Sequence, residues 1–215
     1  MSRNHSDDDR SLVERAQHDL LNPISSILGL GETIRARGAG LDDATLRSFG
    51  ESIARQAARL EAMVRDLGRA TRLLREEISA AIDEVRVGDV VGPLVAERVR
   101  AEVPDDLTVR ADAALLADAL RRLVENALEY STDQVVISAG PGFVEVSDHG
   151  PGFDEAGLAA SFEPLKPGTN TRNERGAGLG LGLFIARTLV EAQGGTLTGH
   201  SDGAHGATFR IELPD

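Results

Sequence analysis

His18, Asp19 and Asn22 fall within one short stretch, AQHDLLNPISSILGL (residues 16–30), immediately ahead of Pro23. A neutral imidazole carries one unprotonated ring nitrogen and titrates at a pKa of ~6.5, so it is a nucleophile at ordinary pH. A carboxylate next to it can accept the other ring proton and fix the tautomer, and a carboxamide one helical turn on shares its face. Adjacent helix positions do not face each other, so the Asp19 contact requires a side-chain swing or a local distortion. Proline in a helix interior removes a hydrogen bond from the carbonyl four residues earlier and costs ~3 kcal/mol or more. That carbonyl is Asp19's, so the proline is expected to let the helix open around the histidine.

At about 100° per residue from His18, the apolar Leu20, Leu21, Ile24, Ile27, Leu28, Leu30 and Ile34 fall between roughly 120° and 300°. Asn22 lies at about 40° and Ser25 near 340°, on the same strip as the imidazole and outside the apolar arc. The histidine is therefore expected to face water, where it can meet another macromolecule.

A second group of residues suits a nucleotide. Asn126 in LVENALEYS offers a carboxamide oxygen, a hard ligand for Mg2+ bridging phosphates. Asp148 in VSDHGPGF can accept a hydrogen bond from an adenine amino group, while Gly150 and Gly152 permit close backbone approach. Gly178, Gly180 and Gly182 in GAGLGLGLFIAR open a helix whose free N–H groups and positive dipole end attract phosphate. Each signal alone is common in structural roles; their order and spacing together carry weight.

The elements that must hold these residues follow from pattern. A helical period runs from about Leu12 to Arg37 and stops at RGAG (37–40), whose glycines suit a helix end. LDDATL supplies an Asp N-cap for a second helix, in which Leu46, Ile53, Leu60, Leu67 and Leu74 recur every seven residues. Phe49, Met63 and Ala70 hold the accompanying heptad position, interrupted by Gln56. The two helices are expected to form an antiparallel hairpin. One hairpin cannot surround its own apolar stripe, so two are expected to pair as a homodimeric four-helix bundle, the alternative being that each hairpin packs on the chain's own C-terminal domain. After about Ile82 the period changes. VRVGDVVGPLV reads as a linker and short helix, LTVRAD as a strand, ALLADALRRLVENALEYS as an amphipathic helix, and QVVISAGPGFVEVSD as a β-hairpin. A glycine-rich charged loop (about 162–178) precedes the helix LGLFIARTLVEAQ, and a second hairpin closes the chain. The expected class is α+β: residues 1–10 a flexible N-terminus, 11–83 the helical hairpin, and 84–215 an α/β sandwich with helices on one face of a sheet.

With 215 residues and 41% hydrophobic composition, the chain has room for two domains and a proper core. A net charge of −12 argues against nucleic-acid binding, which needs clustered Lys and Arg. There are no cysteines, which excludes disulfides and thiolate metal sites. No apolar run approaches the ~20 residues that span a bilayer. No membrane insertion and a cytoplasmic location are expected.

HDLLNPISSI resembles the phosphoacceptor box of sensor histidine kinases. LVENALEYS, VSDHGPGF and GAGLGLGLFIAR resemble the N, G1 and G2 boxes of the Bergerat-fold ATPases and kinases, a group that includes gyrase, Hsp90, MutL and the histidine kinases. FEPL (162–165) is similar to the box that starts the ATP lid, and GATFRIELP to the closing strand. The resemblance covers roughly residues 12–215. It implies phosphorylation of His18, with Asp19 as base and Asn22 positioning water that hydrolyses a partner's phospho-aspartate. It also implies Asn126 on Mg2+, Asp148 on adenine, and Gly178, Gly180 and Gly182 on the phosphates, with Thr208 helping to hold adenine through water. Lys166, Arg172 and Arg175 are candidate phosphate contacts in the lid. The implied cofactors are ATP and Mg2+, and the implied partner is a response-regulator receiver domain.

Two positions depart from the family pattern. Arg122 stands where a second Asn is usual, and Glu129 where Lys is frequent, which puts the electrostatic support of a triphosphate in doubt. Arg122 is a candidate to compensate. The absence of a Glu at 122 favours transfer to histidine over simple ATP hydrolysis. The leading expectation is a dimeric histidine kinase core with response-regulator phosphatase activity through Asn22. A phosphotransfer adaptor with a degenerate nucleotide domain is the alternative, and an anti-sigma serine kinase, which leaves the hairpin unexplained, is a third.

Overall fold

The computed structural model describes residues 4–75, 78–165, 179–201 and 205–214, with the backbone alone described for 4–16. The chain divides into two compact units, residues 1–69 and 70–215.

The first unit holds two long helices. α1 (Asn4–Arg37) runs unbroken through Pro23, and α2 spans Asp43–Leu73. α1 begins eight residues before Leu12, within the stretch expected to be flexible. A single 3-10 turn, Gly38–Gly40, connects the helices. Asp42 caps α2, its carboxylate accepting from the Thr45 amide at 2.8 Å and from the Thr45 hydroxyl at 3.2 Å. Those bonds hold the Asp42 carboxyl below its ordinary pKa, the Thr45 amide contributing most.

Along α2, Met63 is buried, while Leu46, Phe49, Ile53, Gln56 and Leu60 are half-buried. Val64 and Leu67 are exposed on the helix, and Leu74, exposed too, lies in the turn past its end. On α1, Leu21 and Leu28 remain 57% and 61% exposed. The heptad stripe is thus only partly covered within one chain.

The second unit is built on a five-stranded sheet of order β2-β4-β5-β7-β6. Its strands are β2 (Val99–Glu102), β4 (Val135–Gly140), β5 (Phe143–Ser147), β6 (Thr196–Ser201) and β7 (Ala207–Glu212). All neighbours are antiparallel except β2 and β4. A separate two-stranded sheet pairs β1 (Asp83–Arg86) with β3 (Thr108–Ala111). The stretch expected as linker and short helix therefore starts with a strand, followed by α3 (Val87–Val91) and a 3-10 turn at Gly92–Leu94. β2 was not expected, and neither was α5 (Glu155–Ser161).

α4 (Ala113–Tyr130) and α6 (Gly182–Glu191) pack on each other and against the sheet. Leu116, Leu120, Leu123 and Ala127 recur at helical spacing and are buried. They meet Ile185 and Leu189 of α6 and the inward residues of the strands, including Val144, Val146, Phe209 and Ile211, all essentially without exposure. Phe209 anchors this core, in edge-on contact with Phe153 and Phe162 at centroid distances of 6.2 and 6.0 Å. Phe209→Ala is expected to destabilise the second unit by about 3–5 kcal/mol, from lost transfer energy plus the cavity left behind. Urea denaturation of the full chain checks this, with Thr198→Ala, on an exposed strand position, as the neutral control.

Candidate functional site

Two sites emerge, one in each unit. On α1 the His18 side chain is 75% exposed. Asp19 Oδ1 stands 3.6 Å from its Nδ1, and Asn22 Nδ2 is 3.4 Å from the same nitrogen. Both neighbours therefore address Nδ1. Among the described residues no hydrogen bond engages Nε2. Pro23 is buried one residue beyond Asn22, and the Ser26 hydroxyl donates to the Asn22 carbonyl at 3.0 Å, fixing the backbone beside the carboxamide. Ser25 is exposed, as expected for this strip.

In the second unit a small cleft is lined by Asn126 and Tyr130 of α4, by Asp148, Pro151, Gly152 and Phe153 beyond β5, and by Ala207 at the start of β7. The sheet creates this meeting. The inward-facing pattern of β5 continues to Asp148, whose amide donates to the Ala207 carbonyl at 2.9 Å. Asn126 and Tyr130 lie one turn apart on α4 and reach the same end of the sheet.

Asp148 is only 8% exposed. Burial pushes its carboxyl above the ordinary carboxylate range, opposed by the backbone N–H groups of Gly150 and Ala207 and by the neighbouring His149. The Gly150 amide donates to Asp148 Oδ1 at 2.7 Å. Two glycines make the geometry possible. A Cβ on Gly150 would lie 2.9 Å from both Asp148 Oδ1 and the Tyr130 carbonyl oxygen. Gly206, at φ +101°, would place a Cβ 1.9 Å from the Asp148 carbonyl oxygen.

Of the residues anticipated from sequence, Asn126, Asp148 and Gly152 come together in the cleft, with Gly150 against Asp148. Gly180, at φ +65°, precedes α6, and Gly182 is its first residue. Gly178 lies outside the described residues, as do Lys166, Arg172 and Arg175. Thr208 is not brought to the cleft, which corrects the expectation for that residue. Side chains alternate along β7, so Thr208 takes the opposite face of the sheet from Ala207 and bonds the Ser147 hydroxyl at 2.9 Å. Ala207 occupies the position beside Asp148. Arg122 is 4% exposed, with its Nε 3.6 Å from Asp118 Oδ1, and does not line the cleft. Glu129 is exposed. Tyr130, Phe153 and Gly206 were missed, although Tyr130 follows Asn126 by one helical turn and Phe153 ends the GPGF stretch.

The groups around the cleft are of the kind that contact a nucleotide: a buried hydrogen-bond acceptor, a carboxamide, and a helix N-terminus downstream.

Residues 9–75 match the His Kinase A (phospho-acceptor) domain, and residues 111–215 match the histidine kinase-, DNA gyrase B- and HSP90-like ATPase domain. The chain belongs to the sensor histidine kinases, as a core of phospho-acceptor hairpin followed by ATPase-type domain. It is 29% identical over 221 residues to the sensor-like histidine kinase SenX3 of Mycobacterium tuberculosis, a match covering 95% of this chain and 53% of that protein. The chain thus spans about half the length of the curated relative. In fold it resembles the histidine kinase ThkA in complex with the response regulator TrrA, at a TM-score of 0.68 and 22% identity, covering 95% of this chain and 61% of that one. It also resembles full-length ShkA in complex with AMPPNP, at 0.63 and 23%, covering 95% and 45%.

Gly150→Ala is expected to displace the Asp148 carboxylate and weaken ATP binding by roughly tenfold or more, the scale of one lost hydrogen bond to a charged group. Calorimetric titration with ATP, beside a thermal melt showing a retained fold, measures the effect.

Proposed function

We propose that this chain phosphorylates itself on His18 from ATP–Mg2+ and passes the phosphoryl group to an aspartate on a response-regulator receiver domain. In this reading residues 11–83 form the phospho-acceptor hairpin, paired with a second copy in a four-helix bundle, and residues 84–215 bind the nucleotide. The exposed Leu21, Leu28, Val64 and Leu67 supply apolar surface for that pairing. The regulator bound to ThkA and the nucleotide analogue bound to ShkA fit the same reading.

The observation that carries it is the solvent-facing imidazole with both polar neighbours on Nδ1. A proton held on Nδ1 toward Asp19 leaves the Nε2 lone pair outward as the nucleophile. Rotation of the Asn22 amide lets its oxygen share that role, since its two terminal atoms are distinguished only by their partners. Bound ATP supplies the phosphoryl group. Nε2 forms a bond to the γ-phosphorus as the bond to the β-bridging oxygen breaks and ADP leaves. The N–P bond then breaks as the regulator's carboxylate oxygen bonds phosphorus. Asn126 would hold Mg2+, Asp148 would accept from the adenine amino group, and the turn at Gly180 leading into α6 at Gly182 would face the phosphates. Such a transfer depends on in-line placement and charge neutralisation. In the reverse, phosphatase direction, the Asn22 carboxamide orients the attacking water.

His18→Gln is expected to abolish acid-labile, alkali-stable labelling from γ-labelled ATP while calorimetry shows nucleotide binding intact; persisting label would refute the assignment. No heat on ATP titration of the wild type would favour the phosphotransfer adaptor instead. Asn22→Ala is expected to spare self-labelling and slow dephosphorylation of the regulator, and equal loss of both would reduce Asn22 to a structural role. The adenine contact requires Asp148 ionised, and burial raises its pKa, so protonation sets in at a higher pH than for an exposed carboxylate. ATP affinity is therefore expected to fall as pH drops, beginning above the usual carboxylate range. Titrations across pH 4 to 7 should show that loss in the wild type and a flat profile in Asp148→Asn.

A further inference from the structure

Asp112 makes contacts that neither the phospho-acceptor site nor the nucleotide cleft uses. It follows β3 directly and caps α4, its Oδ1 accepting from the Ala114 and Leu115 amides at 3.0 and 3.1 Å. Its Oδ2 accepts from the amide of Ala81 at 2.9 Å, thirty-one residues earlier. Ala81 lies in the irregular connector between α2 and β1, two residues before the ladder in which Asp83 pairs with Ala111. The backbone amide of Asp112 in turn donates to Oε1 of Gln193 at 3.0 Å. Gln193, 4% exposed, sits just beyond α6 and returns its Nε2 to the Leu189 carbonyl at 3.0 Å. The amides of Ala81, Leu115 and Ala114 hold the Asp112 carboxyl below its ordinary pKa, Ala81 contributing most.

One residue thus ties three chain segments: the connector, the start of α4 and the end of α6. α4 and α6 pack on each other, and the Asp112–Gln193 bond joins the beginning of one to the end of the other, so the pair runs antiparallel. Its opposite end brings the C-terminal half of α4, with Asn126 and Tyr130, to the N-terminus of α6 at Gly182. A pin at one end of two packed rods sets the spacing at the other end, because close-packed side chains transmit displacement rather than absorb it.

We propose that Asp112 is a positioning residue through which the connector and the nucleotide cleft sense each other. The carboxylate clamps Ala81 to the far end of the helix pair whose near end holds the nucleotide. Filling the cleft tightens the clamp, and tension on the connector shifts the cleft, since such coupling is reciprocal. This rests on the nucleotide-binding reading above.

The test is amide hydrogen exchange at Ala81 in the full chain, with and without ATP–Mg2+. In the wild type, saturating nucleotide is expected to slow exchange at Ala81 severalfold. Asp112→Ser retains one oxygen for the α4 cap and loses the second acceptor. It is expected to keep its thermal midpoint within a few degrees and to bind ATP within about twofold of wild type. Its Ala81 amide is expected to exchange faster and to ignore nucleotide. A purely structural cap would leave Ala81 unresponsive to nucleotide in both proteins. Exchange at Ala81 that does not change when calorimetry shows ATP bound to the wild type would overturn the proposal, whatever the variant does. Absence of ATP binding would instead sink the kinase reading. With no nucleotide to bind, the clamp couples to nothing and falls with that reading.

Discussion

Burial of one face of the five-stranded sheet beneath α4 and α6 governs nearly everything else in the second unit. Val135, Ile137, Val144, Val146, Phe209 and Ile211 point inward and are essentially unexposed, and Leu116, Leu120, Leu123, Ile185 and Leu189 close over them. Strand periodicity then leaves little freedom at the strand ends. The position after β5 falls to Asp148 and the first position of β7 to Ala207, both inward, while Thr208, Arg210 and Glu212 take the outer face. Helical periodicity acts likewise on α4, whose buried residues fix which turn presents Asn126 and Tyr130. The cleft is where two periods, two and 3.6, run out at the same edge.

A carboxylate in that edge carries an energetic cost, because a buried charge is unfavourable unless hydrogen-bonded. The backbone N–H groups of Gly150 and Ala207 offset part of it, and the glycine at 206 lets β7 approach closely enough for the arrangement to exist. The histidine site is built the opposite way. His18 stands in water on a long helix, and its chemistry depends on which ring nitrogen its neighbours engage rather than on exclusion of solvent. One chain therefore holds an exposed imidazole in one unit and a buried carboxylate in the other.

The long elements were legible because their periods repeat often enough to be unambiguous. The heptad from Leu46 to Leu67 announces α2, and the apolar rows of α4 and of the hairpin β4–β5 announce the sandwich. The four-residue strands DEVR and VRAE were not, since each shows only one buried residue among polar neighbours, too little alternation to separate from loop. α5, EAGLAAS, is short and weakly apolar, although its cap, Asp154 accepting from the Gly157 amide at 2.6 Å, is written in the sequence. Within the sites, Asn126 and Asp148 could be placed by residue chemistry and glycine spacing. Ala207 and Thr208 could not be told apart, because a strand assignment uncertain by one residue reverses every side chain. The role of Asp112 was beyond reach, since its partners lie thirty-one residues before it and eighty-one after it.

The strand order has a consequence for how the protein is made. β7, the last strand in chain order, lies between β5 and β6 rather than at an edge. Until it leaves the ribosome, β5 lacks one neighbour and β6 has none, and Phe209 is missing from the centre of the core. The ATPase-type half must therefore complete itself late, after its helices have already emerged with their apolar faces bare.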